Sequence, residues 1–339
     1  MNKEKPKSIE LFAGAGGLAL GLEKSGFFHI ALNEIDKYAV QTLRVNREKW
    51  RVFEEDIREL VDKNVCQLLG IKEKELDLLS GGFPCQTFSY AGKKDGLEDS
   101  RGQMFYYFAL MLKQLKPKLF LCENVKGLVT HDSGKTFKRI LDTFSEIGYR
   151  VSYKVLNALD YGVSQKRERV FIVGIRNDLY KKDFVFPEKF LSKNSIRDAL
   201  KDVPLSIGAK YSEKRSKLFK LIPAGGCWVD LPVELAKEYM GKSYYSGGGK
   251  RGVLRRISWD EPCLTLTCSP VQKQTDRCHP EEERPFTVRE YARIQSFPDD
   301  WKFVGSIHSQ YKQIGNAVPV NLAFAIGRAL MDYWKEICS

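Results

Sequence analysis

No Cys-x-x-Cys pair occurs in the chain, although it holds eight cysteines; they stand singly between Cys66 and Cys338. That spacing argues against a secreted disulfide framework. The one local cluster, Cys263, Cys268 and Cys278-His279, matches no common zinc site, and no metal is expected. No apolar run is long enough to span a bilayer. Residues 1–7 are polar and lead straight into a strand-like segment, so neither a signal peptide nor a membrane anchor is expected, and the chain reads as cytoplasmic. Internal repeats and low-complexity tracts are missing as well, which argues against solenoids and disordered linkers.

What is present is a basic globular composition. The 339 residues are 43% hydrophobic and carry 55 Lys/Arg against 43 Asp/Glu, net +12. Most of that excess falls in residues 181–256, with 17 basic and 8 acidic side chains. A basic stretch beside near-neutral sequence is the footprint of a polyanion-binding domain next to a catalytic one. The length suits one large domain and one smaller one.

The amino-terminal half alternates strand and helix patterns. A strand over 8–12 runs into Ala13-Gly14-Ala15-Gly16-Gly17, then a helix up to Gly26. Strand, glycine turn and helix let backbone amides approach a nucleotide-like ligand. A second strand, 31–34, ends in Glu34, placed to accept from ribose hydroxyls. The sequence offers no separate pyrophosphate feature, and the turn is tighter than the dinucleotide pattern. It therefore leans towards S-adenosylmethionine, which has a ribose and no phosphate.

A helix over 37–46 and a strand over 51–53 follow. Asp56 can meet an adenine amino group, or cap a helix over 57–69, or both. The run 75–79 reads as a buried strand leading into Ser80-Gly81-Gly82-Phe83-Pro84-Cys85-Gln86-Thr87-Phe88-Ser89. A cysteine there, after a rigid proline, sits on a loop at a strand's carboxyl end, where open α/β sheets bind ligands. The plain alternative is a small buried hydrophobe. Residues 90–102 form a glycine-punctuated polar loop, either a lid or a connection. A helix over 104–115 and an apolar strand over 119–122 then end in Glu123-Asn124-Val125. Glu123 is a general-acid candidate if burial keeps it protonated, or a turn cap.

Two β-rich runs, 150–156 and 169–175, flank Gln165-Lys166-Arg167-Glu168-Arg169. Arginines at i and i+2 point the same way once a strand has begun, which suits fixing a carboxylate and a polar base edge. From 186 to 285 the chain reads as irregular, basic and interleaved with aromatics. Its segment Ser246-Gly247-Gly248-Gly249-Lys250-Arg251-Gly252 allows close backbone approach to a phosphate. Regular structure returns with helices over 287–295 and 320–334.

With these residues on the page, the chain resembles the DNA (cytosine-5) methyltransferases of bacterial restriction–modification systems, in the family's own motif order and over almost the whole length. Phe12, Ala13, Gly14, Ala15 and Gly17 resemble the motif that cradles S-adenosylmethionine. Glu34 falls on the ribose-binding acid, Ile35 on a position that packs against adenine, and Asp56-Ile57 on the adenine-edge pair. Gly82 and Pro84, Met104, and Asn316-Ala317-Val318 complete the implied cofactor contacts. Cys85 resembles the nucleophile and Glu123 the acid, with Arg167 and Arg169 as the arginines that steady the acid and touch the base. Gln86, Ser89, Lys93, Lys250, Arg251, Arg255 and Thr265 are the implied DNA contacts. Thr265-Leu266-Thr267 resembles the family's recurring Thr-Leu pair.

The resemblance implies an α/β fold of the S-adenosylmethionine-dependent methyltransferase type. That means a Rossmann-like, mostly parallel sheet with an antiparallel edge hairpin, plus a smaller irregular target-recognition domain. It divides the chain into a catalytic domain over 1–185, a recognition domain over 186–286 and a return to the catalytic domain over 287–339. It also implies methylation of C5 in a flipped cytosine within a short duplex sequence, with S-adenosylhomocysteine as product. The expected partners are double-stranded DNA and, functionally, a restriction endonuclease; the enzyme is expected to be a monomer. Two alternatives keep the scaffold: an RNA cytosine-5 methyltransferase and a non-catalytic DNA-binding regulator. A nicotinamide enzyme would need a hydride relay in place of the Cys85 loop.

Overall fold

Four of the five residues Lys7–Leu11 are buried, and this short run is β1, an interior strand of the sheet. The structure, a computed structural model, describes residues 5–84, 104–245 and 252–338. It falls into two compact units: Met1–Asn157 with Glu168–Lys189 and Val320–Ser339, and Ala158–Arg167 with Phe190–Pro319.

In the first unit β1 is followed by β2 (Phe28–Glu34), β3 (Val52–Glu54), β4 (Leu78–Gly81), β5 (Leu119–Val125) and β6 (Tyr149–Asn157). After the two-residue β7 (Gln165–Lys166), which lies in the other unit, β8 (Glu168–Arg176) completes the sheet. The order is β3-β2-β1-β4-β5-β8-β6. The pairs among β3, β2, β1, β4 and β5 are parallel, whereas β8 runs antiparallel to both β5 and β6. This is the mostly parallel sheet with an antiparallel edge hairpin that the sequence implies, and it carries the strand ends expected to hold chemistry at β1, β2, β4 and β5.

Helices α1 (Gly17–Ser25), α2 (Lys37–Asn46), α3 (Ile57–Val61), α4 (Val65–Leu69), α5 (Met104–Leu115), α6 (Gly127–Thr130) and α7 (Lys135–Glu146) connect the strands. The expected helix over 57–69 is two short ones. Asn64 accepts from the Gln67 amide and starts α4 anew, because an Asn side chain competes with the helix ladder. The strand expected at 75–79 sits later, at Leu78–Gly81, since Lys74 has positive φ and Asp77 anchors the entry by accepting from the Lys7 amide.

The core under α5 and α7 is aromatic. Phe83, Phe105, Phe108, Phe120, Phe144 and Tyr149 are buried with ring centroids 4.8–6.4 Å apart. Gly174 on β8 leaves the room that the Phe120 ring fills. The final helix, α13 (Val320–Cys338), is long and apolar, but its apolar residues pack on α1. At that crossing Gly21 meets Ala323 so closely that a Cβ would lie 2.3 Å from the Ala323 Cβ.

The second unit contains α8 (Ile196–Leu200), α9 (Glu213–Lys220), α10 (Val233–Met240), α11 (Val288–Ile294) and α12 (Ile307–Asn316). A small parallel pair joins β7 to β9 (Cys263–Leu264). The stretch expected to be irregular therefore holds three short helices and its own core of Tyr211, Leu218, Phe219, Ile222, Leu231, Met240 and Leu254. Around Cys263 and Cys268, only Cys263–Leu264 is strand. The contact boundary at Pro319 also assigns α11 and α12 to the second unit, where the motif order assigns them to the catalytic domain.

Candidate active site

At the carboxyl end of β1 the chain turns through Phe12 (φ 55°), Gly14 (φ 54°) and Gly16 (φ 84°), and Gly16 caps α1. Left-handed φ at a residue as bulky as Phe12 costs energy and marks a functional turn. The Ala13 amide donates to Asn33 O of β2, which ties the turn to the neighbouring strand. Glu34, at the end of β2, closes the cradle: Oε2 accepts from the Gly14 amide at 2.7 Å, and Oε1 from the Ile35 and Asp36 amides at 2.9 and 2.8 Å.

Whether these residues fit S-adenosylmethionine can be tested on that geometry. Three of the roughly four acceptor positions of a carboxylate are used, leaving one for a ribose hydroxyl. The space where a Gly14 side chain would stand has nothing within 4 Å, and the Ile35 side chain is 63% exposed beside Glu34. Asp56 caps α3 and is bound by the Arg58 guanidinium at 2.6 Å, which holds its carboxyl below the ordinary range. Ile57 is buried behind it. The residues fit the group.

The second cluster lies at the ends of β4 and β5. Glu123, expected just past a strand, lies within β5 with its side chain 11% exposed. Arg169, opposite Val125 on the antiparallel β8 and so two positions along from Glu123, donates to Glu123 Oε1 at 2.9 Å. The other oxygen, Oε2, faces Gly82: a Cβ on Gly82 would stand 2.8 Å from it. Asn124 Nδ2 donates to Phe83 O at 2.9 Å, pinning the backbone two residues before Cys85. Pro84 is exposed, and Met104 opens α5 half-buried. Cys85, Gln86, Ser89, Lys93, Lys250 and Arg251, like the loop 90–102, lie outside the described residues.

Beneath the cradle runs a buried polar row. Ser80 Oγ donates to Glu10 Oε2 at 3.3 Å, and burial pushes the Glu10 carboxyl up to about 8. His29 Nε2 donates to Ala19 O of α1 and Nδ1 accepts from Ser8 Oγ, while burial lowers its pKa to about 4. Both side chains are neutral at pH 7, so the row carries no net charge under the cradle.

In the second unit Arg167 does not share a strand with Arg169, because β7 ends at Lys166 and β8 begins at Glu168. The expected common direction of the pair therefore does not hold. Arg167 is 1% exposed and donates to Leu266 O and Gly315 O at 3.0 and 2.7 Å. Asn316 ends α12 with Cys268 Sγ 2.8 Å from its Oδ1; Ala317 caps that helix and Val318 is buried. Thr265 Oγ1 donates to Lys166 O, and Arg255 pairs with Glu261 at 3.2 Å. Among the described residues no His/Cys/Asp/Glu group is arranged to hold a metal.

Sequence reasoning missed Asn124 as the clamp on Phe83, Glu10 as a neutral acid, and Gln165 and Gln295 as buried amides. An Asn directly after a strand-end acid, and a Glu inside an otherwise apolar strand, are the signals that were there to be read.

A glycine cradle closed by an acid on the second strand, beside a strand-end carboxylate and its arginine, defines a methyltransferase of the class built on this sheet. The chain belongs to the family of C-5 cytosine-specific DNA methylases, whose model it matches over residues 6–332. It is 58% identical over 340 residues to the Type II methyltransferase M.Sau96I of Staphylococcus aureus, covering 99% of this chain and 78% of that one. It is 52% identical over 338 residues to M.Eco47II of Escherichia coli, covering 97% and 79%. A crystal structure of a prophage-encoded DNA modification methyltransferase from E. coli superposes with a TM-score of 0.72 at 26% identity, covering 97% of this chain and 99% of that one. The chain is thus a DNA cytosine-5 methyltransferase of the Type II restriction–modification kind.

Proposed function

We propose that the enzyme methylates C5 of a cytosine flipped out of a specific short duplex sequence, through a transient bond between Cys85 Sγ and C6. The observation that carries this reading is the placement of Glu123. Arg169 fixes one carboxylate oxygen, and the other lies over Gly82, three residues before Cys85, on a backbone that Asn124 pins at Phe83.

Cytosine C5 is a poor nucleophile, and addition of a thiolate at C6 makes it enamine-like. A free cysteine has a pKa of about 8.5, so the Cys85 loop must favour ionisation or couple it to attack. As the C6–S bond forms, Glu123 gives a proton to N3 and removes the developing charge. C5 takes the methyl group, loss of its proton expels Cys85 as the thiolate, and N3 returns its proton to the Glu123 carboxylate. S-adenosylmethionine would supply the electrophilic methyl group; the turn 12–17, Glu34, Ile35, Asp56-Ile57, Gly82, Pro84 and Met104 of the first unit would hold it, with Asn316–Val318 as the contacts expected from the second.

C5 is not accessible inside a duplex, so the base must leave the stack. Gln86, Ser89 and Lys93 would face the flipped base and its strand, and Lys250, Arg251, Arg255 and Thr265 the phosphates and major groove. The relatives' names as Type II methyltransferases support a host-protecting role beside a restriction enzyme; the reading is completed by a monomer acting in the cytoplasm.

The test is covalent trapping. A duplex with 5-fluorocytosine at the target is expected to give a denaturation-resistant adduct with wild type and none with Cys85→Ser, which still binds the duplex but does not methylate it. Methylation by Cys85→Ser near the wild-type rate overturns the reading.

A further inference from the structure

Two segments of the second unit, Thr265–Thr267 and Ile314–Ala317, are fastened to each other by three buried side chains along two parallel routes. Arg167 bridges them directly, donating through Nη1 to Leu266 O and through Nη2 to Gly315 O. Gln165 Oε1 accepts from the Leu266 amide at 2.9 Å, and Gln165 Nε2 donates to Gln295 Oε1 at 2.9 Å. Gln295 Nε2 then donates to Ile314 O and Ala317 O at 2.8 and 3.2 Å. Both backbone groups of Leu266 are therefore held by groups that also hold residues 314–317. The backbones nearly touch: a Cβ on Gly315 would lie 2.4 Å from Thr267 O. Gln165 and Gln295 are fully buried and Arg167 is 1% exposed.

We infer that Arg167, with Gln165 and Gln295, is a positioning group that locks the Thr265–Thr267 segment in register with Ile314–Ala317. The inference rests on the reading above, in which Thr265 meets DNA and Asn316–Val318 meet the cofactor. The lock lets target recognition and cofactor binding share one rigid backbone element. A guanidinium spread over two carbonyls works only as a planar fork; a lysine ammonium cannot span both acceptors. A buried amide turned into a carboxylate loses both of its donors and leaves two carbonyls unsatisfied.

The experiment uses the full-length enzyme and the target site mapped by bisulfite sequencing of a plasmid carrying the gene. Arg167→Lys and Gln295→Glu are compared with wild type in two readouts. One is the ratio of kcat/KM on the mapped duplex to that on a duplex with one base pair changed. The other is the Kd for S-adenosylhomocysteine without DNA. Both readouts are independent of the fraction of active enzyme, so partial misfolding moves neither. Each variant is expected to lose about tenfold or more in discrimination, the scale of one mismatched base pair, and to bind S-adenosylhomocysteine several-fold more weakly. If kcat falls while both readouts stay at wild type, Arg167 acts on the base instead, and the inference is overturned. Movement of only one readout overturns it too, because the two segments are then not joined. Wild type that fails to methylate cytosine in the same assay refutes the underlying function instead.

Discussion

At Gly82 a missing side chain leaves room for the Glu123 carboxylate. Glu123 Oε2 occupies the place a Cβ would take, at 2.8 Å, and a methyl group there must push either the carboxylate or the backbone leading to Cys85. Misplacing a catalytic group by about 1 Å can cost on the order of a hundredfold in rate. Gly82→Ala is therefore expected to lower kcat by about that factor while thermal unfolding shifts little; an unchanged kcat would show that Glu123 is not held where it reacts. Glu10 gives a different residue-scale prediction. Its folded pKa, about 8, lies above its ordinary 4.5, so its contribution to stability is full below 4.5 and is lost as pH rises through 8. Glu10→Gln, which keeps the shape and cannot ionise, is expected to gain on wild type by a few kcal/mol between pH 5 and 9. Melting curves that run parallel for the two proteins across that range refute it. Residues of this kind divide cleanly in legibility. Glu34 and Glu123 could be picked out from sequence because one ends its strand and the other lies near the carboxyl end of its own. Arg167 was misjudged because two positions of alternation mean a shared face only inside one unbroken strand.

Among the elements, the crossing of α1 and α13 governs the cofactor cradle, since α1 begins at the cradle itself. Alanine at position 21 gains about 1 kcal/mol of helix propensity over glycine. Here it would collide with the Ala323 side chain and with backbone 2.7 Å away. Overpacking of that severity costs about 1–3 kcal/mol and outweighs the propensity gain. Gly21→Ala should lower the urea midpoint and weaken S-adenosylhomocysteine binding together; a variant more stable than wild type would mean the helices part without cost. Elements with a clear cap and a clean apolar period were legible: α2 has the bounds read from sequence, with Asp36 as its cap. The pair α3 and α4 was read as one helix because its apolar period continues across Asp62–Asn64 while the caps break it. In the second unit α9 reads Glu-Lys-Arg-Ser-Lys-Leu-Phe-Lys, and so short and charged a helix leaves almost no period to detect.

For the molecule as a whole, charge and motif order announced the class of partner and a second domain inserted before a carboxyl-terminal return. The basic surplus predicts how binding responds to salt. For about four phosphate contacts, affinity for the mapped duplex should fall about a hundredfold between 50 and 200 mM salt. A flat salt dependence would show that the basic stretch takes no phosphates. The short excursion Ala158–Arg167 was not legible: the chain passes between units four times, once between Arg167 and Glu168. That weave follows from contacts far apart in sequence, which local patterns do not encode.

The meeting of α1 with α13 also sets a clock on biosynthesis. Roughly three hundred residues separate the two helices, and at about 5–20 residues per second the ribosome needs roughly 15–60 s to make the second after the first. Throughout that interval the face of α1 that carries Gly21, Leu22 and Ser25 lacks the helix that covers it. The turn at the start of α1 gains this support only when translation has reached α13.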